Sequence, residues 1–248
     1  MKRKFLGILI ASILAMNAFV VNAQVKEKID KLTAKGNVVF LVVTEGSKQI
    51  SEAKDMAIKT QKKCPKSEVI TMDRTDKANS ALVSKYGLAG APLPLILVIA
   101  PNGVVGGGLQ LSQATPEDLV DLVPTKRQAS ALLAFSENKP AFIVLYKKNM
   151  KDKQKVVEEC NKAAAGLGGK AVVVEVDLDD KSETGFMSLL KPDMKATTTH
   201  VLVFNSKGQF TDEHKSPVQS AVLIASSKKV VKSSCAPGAC GSGGCGKK

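Results

Sequence analysis

Three cysteines, Cys235, Cys240 and Cys245, are each separated by four residues and lie among Gly, Ala, Ser and Pro. Soft sulfur ligands select soft ions, so three thiolates drawn to one point suit Cu(I), Zn(II) or another thiophilic metal. The same thiols can exchange disulfides with a partner's thiols, because an exposed thiol in an oxidising compartment reacts. A third reading is a tether, cross-linked or modified. The plainest is an incidental low-complexity end with one internal disulfide and one capped thiol. Lys247 and Lys248 favour thiolate formation at Cys245. Spacers this small cannot bury a core, so residues 233–248 read as a flexible Cys/Gly-rich tail.

The other two cysteines point elsewhere. Cys64 stands before Pro65 at the end of a helical pattern, where the helix dipole disfavours a thiolate. Cys160 shares an apolar helical stripe with Val156, Val157 and Ala164. Both are expected to be structural, inert thiols. His200, at the mouth of an apolar strand, is expected to be a hydrogen-bonded structural group, and it is the first alternative metal ligand should the tail bind none. His214 is expected in a polar loop and carries no signal.

The elements that position these residues follow an order that occurs twice. In the first half a short amphipathic helix (25–35) precedes an apolar strand (38–43), and a helix opens at Ser51 and ends near Pro65. A strand (69–72) follows, closed by Asp73, and then a helix (78–86) with Gly87 past its end. A strand (95–100) turns through Pro101-Asn102-Gly103 into Val104 and Val105. Thr115-Pro116-Glu117-Asp118 is a helix start, with a capping Thr and a first-turn Pro. The second half repeats this as helix 125–136, strand 141–146, helix 150–165, strand 171–176 closed by Asp177, helix 185–190 and strand 201–205. A turn at Gly208 follows, and the last helix is expected to start at Ser216-Pro217. Asp73 and Asp177 lie 104 residues apart, and Gly103 and Gly208 lie 105 apart. The chain therefore reads as two units of one design, 24–124 and 125–232.

Residues 1–23 read as a secretory signal. Lys2, Arg3 and Lys4 precede an apolar or small run (5–16), and Val21-Asn22-Ala23 is a small-residue cleavage site that would leave Gln24 first. A periplasmic or secreted protein follows, with no membrane-spanning segment after the cut. Of the formal charge of +13, residues 1–23 carry three, leaving +10. That charge favours acidic partners, and an acidic or thiol-bearing envelope protein fits. Nucleic acid is not expected, because the lysines are dispersed and lack interleaved aromatics for stacking bases. With no Trp, two Tyr and eight Phe, the cores must be Val, Leu, Ile and Ala.

The element order over residues 25–228, with the run Gly90-Ala91-Pro92-Leu93-Pro94-Leu95-Ile96-Leu97-Val98-Ile99-Ala100-Pro101-Asn102-Gly103, resembles two thioredoxin-like domains in tandem. The resemblance implies an α/β fold of two tandem three-layer domains, with Pro94 as the cis proline that precedes the family's third core strand. The family's redox dithiol follows the first core strand. Here those places hold Thr44-Glu45-Gly46-Ser47-Lys48-Gln49 and Lys147-Lys148-Asn149-Met150, with no cysteine, and Thr199 replaces the second proline. The resemblance thus carries the fold and no catalytic residue. The expected function is an exported, non-enzymatic protein whose tail binds a soft metal or a thiol partner. The alternatives are a thiol-disulfide oxidoreductase using the tail cysteines, and a plain interaction module.

Overall fold

A computed structural model describes residues 24–46 and 49–231. Residues 1–23 and 232–248, with the signal-like segment and Cys235, Cys240 and Cys245, lie outside them. The chain divides into two compact units between Thr125 and Lys126.

In the first unit α1 (Gln24–Ala34) leads into β1 (Val38–Thr44), α2 (Ile50–Gln61), β2 (Ser67–Asp73), α3 (Ser80–Lys85), β3 (Leu95–Ile99), β4 (Val105–Gln110) and α4 (Pro116–Asp121). The strands lie in the order β2-β1-β3-β4. β1 and β2 are parallel, with Phe40 opposite Val69, and β3 runs antiparallel to both of its neighbours. Every residue of β1 is buried, as expected of a continuous apolar run covered on both faces. Its alternation sends Val39, Leu41 and Val43 to the α1 and α3 side, with Ile29 and Leu82. Val38, Phe40 and Val42 face the α2 and α4 side, with Ala53, Ala57 and Leu119. The Thr115 hydroxyl accepts the Asp118 N–H at 3.1 Å and donates to its carboxylate at 2.6 Å, which starts α4.

The second unit repeats the plan: α5 (Lys126–Ser136), β5 (Ala141–Tyr146), α6 (Lys153–Gly166), β6 (Val172–Asp177), α7 (Thr184–Leu190), β7 (His200–Phe204), β8 (Phe210–Lys215) and α8 (Ser220–Ser227). Its strand order is β6-β5-β7-β8, with the same parallel and antiparallel pairings. Ala131, Phe186 and Met187 cover one face; Val156, Cys160, Ala163 and Leu223 cover the other.

Two helix starts depart from expectation by three residues or more. The last helix starts at Ser220, not at Ser216-Pro217. The Ser216 N–H bonds the Thr199 carbonyl at 2.9 Å, which extends the β7–β8 pairing and leaves Pro217 in a bend. α6 starts three residues late, because Met150 turns into the core instead of beginning the helix. No described helix is long and apolar enough to cross a membrane.

Candidate functional site

In each unit the end of the central strand, which a loop follows, lies beside the entry of the antiparallel strand next to it. In the first unit the loop is Thr44, Glu45 and Gly46, facing the Leu93–Pro94 peptide, which is cis. Arg74 ties the two sides together. Its guanidinium pairs with the Glu45 carboxylate and donates to the carbonyls of Leu88 (3.1 Å), Ala89 (3.4 Å) and Ala91 (2.8 Å). Asp73 accepts from the Thr75 hydroxyl and N–H, both at 2.7 Å, and from the Gly46 N–H at 3.3 Å. The Thr75 bonds chiefly hold its carboxyl below the usual carboxylate range. Among the described residues the buried Thr44 hydroxyl has no hydrogen-bond partner, nor has the Tyr86 hydroxyl, whose pKa burial pushes up to about 12.

The second unit closes the same place without a proline. Thr199, fully buried, gives its N–H to Asp152 at 2.9 Å and its hydroxyl to the same carboxylate at 3.0 Å. Burial alone would raise the Asp152 pKa. The bonds from the Thr199 N–H, the Ser216 hydroxyl and the Thr199 hydroxyl outweigh it and hold the group below its ordinary value. Met150 packs beneath, its sulfur 3.2 Å from the Lys147 N–H and 3.9 Å from the Thr199 hydroxyl. The Lys147 ammonium bonds the Met194 carbonyl at 2.6 Å. A carboxylate and a thioether occupy this place.

Two mixed sheets in the order 2-1-3-4, helices on both faces and a cis proline heading the first antiparallel strand are the thioredoxin arrangement. The chain consists of two thioredoxin-like domains in tandem. No family model and no curated protein matches its sequence. Solved structures similar to it include the first two thioredoxin domains of Naumovozyma dairenensis Eps1p, at 11% identity over 84% of this chain and 96% of that one, with a TM-score of 0.30. The NTD_N/C domain of alkylhydroperoxide reductase AhpF from Enterococcus faecalis matches at 12% over 82% and 97%, with a TM-score of 0.28. The zinc-bound form of human ERp44 matches at 10% over 81% and 54%, with a TM-score of 0.32. At such scores the whole-chain likeness carries no argument, and the fold rests on the topology of each domain.

Neither thioredoxin-like domain brings a cysteine to the site. Cys160 is wholly buried on α6, and burial first, then Glu159 and Glu175, pushes its thiol up to about 12. Cys64 is half-buried in the turn after α2, and burial raises it against a partly opposing bond from Ser67. A thiol with a pKa near 12 holds almost no thiolate at neutral pH. Maleimide at pH 7 should therefore leave Cys160 unmodified in the folded protein and modify it within minutes in 6 M guanidinium, read by peptide mass mapping.

His200 is buried, with Nδ1 2.6 Å from a Glu213 carboxylate oxygen. His214 stands in β8 and not in a loop, because it pairs with Val201 across the sheet, and its Nε2 lies 2.9 Å from the buried Ser226 hydroxyl, itself bonded to Asp212 at 2.9 Å. Lys229, first among the causes, holds Asp212 below its ordinary pKa. These bonds fasten α8 to β8. Among the described residues no group of three or more His, Cys, Asp or Glu could hold a metal ion.

Proposed function

We propose that the protein is an exported, thiol-presenting binding protein. Its two thioredoxin-like domains serve as a scaffold, and Cys235, Cys240 and Cys245 take one soft ion, Cu(I) or Zn(II), or a thiol-bearing envelope partner. Residues 1–23 are removed on export, leaving Gln24 first in a periplasmic or secreted chain. One observation supports this reading above others. Both places where a thioredoxin fold keeps its dithiol are thiol-free, and burial raises the pKa of both cysteines inside the domains. Thiol chemistry in this chain then falls to the other three of its five cysteines. The excess of positive charge suits an acidic partner surface.

Native mass spectrometry with metal analysis tests it on wild type and on the variant carrying Cys235→Ser, Cys240→Ser and Cys245→Ser. Wild type should begin at Gln24 and carry about one Cu(I) per reduced chain, with no uptake of Mg(II), since thiolates prefer soft ions. The variant should lose the ion and keep its thermal midpoint. Unchanged stoichiometry in the variant would exclude the tail and turn attention to His200. Turnover of insulin disulfides by wild type at thioredoxin-like rates, lost in the variant, would favour the oxidoreductase instead.

A further inference from the structure

The second domain has an apolar cavity that the reading above does not use. It lies between α5, α7 and the β5–β7–β8 face of the sheet, with a volume of about 390 Å3. That falls within the range of small-ligand sites, about 300–1000 Å3. Phe135, Phe204 and Phe210 form a stepped row along it, with ring centroids 5.6 and 5.8 Å apart. Gly208 lets the β7–β8 turn close on this row, since a Cβ there would stand 3.1 Å from the Phe135 ring. Leu189, 66% exposed, and Phe210, 51% exposed, stand at the mouth. Water-facing leucine and phenylalanine beside a walled hollow mark a surface that gains by being covered.

One acid reaches this apolar wall. Glu213 lines the cavity, and His200 behind it holds one carboxylate oxygen at 2.6 Å. Among the described residues that is the only hydrogen bond the carboxylate makes. A carboxylate held by His200 on the solvent-facing edge of an apolar hollow complements a ligand with an apolar body and a cationic head. The chain's own residues 233–248 do not meet this description, because they contain no large apolar side chain.

We infer that this cavity binds a small amphiphile: an alkyl or aryl body lies along the three phenylalanines and an ammonium or similar cationic head meets Glu213. The whole chain is strongly basic, so general electrostatics would favour an anionic amphiphile over a cationic one. A preference for the cation must then come from the site itself.

Decylammonium, decanol and decanoate, each below its micelle concentration, are titrated into the gene product as recovered from cells. Calorimetry gives affinity and methyl NMR gives location. Saturable binding of decylammonium is expected, tighter than decanol and tighter still than decanoate, with shifts at Leu132, Leu189, Leu190 and Leu202. Octylammonium should bind more weakly by roughly fourfold for each methylene removed. Glu213→Gln should weaken decylammonium about tenfold or more and leave decanol unchanged. Phe210→Ser should weaken all of them; Leu189→Ser, at a still more exposed position, serves if that variant misfolds. Decanoate binding as tightly as decylammonium would overturn the inference. So would the absence of saturable binding, shifts elsewhere on the chain, or a dimer in solution that covers the mouth.

Discussion

Replacing Asp152 with alanine should cost the second domain about 2–3 kcal/mol. The carboxylate takes both the N–H and the hydroxyl of the fully buried Thr199. A hydrogen bond to a charged group contributes about 1.5–3 kcal/mol, and stranding a buried donor costs about 1–3 kcal/mol. The loss is below the full sum because Asp152 is partly exposed and water can reach the vacated place. Hydrogen exchange of the β5 and β7 amides should speed up, while the first domain's amides keep their rates. Asp152→Asn should cost less, since one acceptor oxygen remains. The pH dependence has a definite sign. The folded pKa of Asp152 lies below its unfolded value, so its stabilisation is full above the unfolded pKa, about 4. It fades as pH falls through the folded value. The gap between wild type and Asp152→Asn should therefore narrow below about pH 4. A gap unchanged at pH 2 would mean the carboxylate charge contributes nothing.

Gly106→Val should be comparably damaging in the first domain, at about 3 kcal/mol. A Cβ at Gly106 would stand 2.4 Å from the Leu122 carbonyl oxygen and 2.7 Å from the Pro124 ring. The nearest atom belongs to the backbone, so no side-chain rotation relieves the clash, and the segment after α4 must lift off β4. Forcing extra atoms into a packed region costs about 1–3 kcal/mol even where side chains can adjust. For a domain of this size the thermal midpoint should fall by on the order of 10 °C. Gly90→Ala is the control: nothing lies within 4 Å of its would-be Cβ, and the midpoint should hold.

The contrast between these two residues shows where a sequence is informative. The inner strands β1, β3, β5 and β7 are legible because each is an apolar run buried on both faces. β5 starts and ends where its apolar run does. The repeat of Asp73 at Asp177 exposed the duplication, since both close the strand parallel to the central one. Thr115 was legible because its cap is made three residues away. β4 runs on past the expected Val105 to Gln110, where three consecutive glycines depress strand propensity. Gly106 and Gly107 admit the close approach of Leu122 and Pro124, and Gly108 that of Leu97, which only tertiary structure reveals. Asp152 was passed over for the same reason: its partner lies 47 residues away. Nothing in the sequence singles out Glu213 in the polar segment after Phe210, and the hollow behind them exists only once α5 and α7 are laid on the sheet.

The buried Tyr86 hydroxyl also makes the protein a natural reporter of its own halves. The chain has no tryptophan and two tyrosines, one per domain, so ultraviolet absorbance and emission come chiefly from Tyr86 and Tyr146. Tyr146 lies under the Lys153 ammonium, 3.7 Å from the ring centroid. Tyr86 must lose its burial before it ionises near its ordinary value, because the folded group titrates only at about 12. The first domain therefore loses stability as pH rises from about 10, where the unfolded tyrosine ionises, towards 12. In a Tyr146→Phe protein the phenolate absorbance appearing in that window records the opening of the first domain alone, with no attached dye.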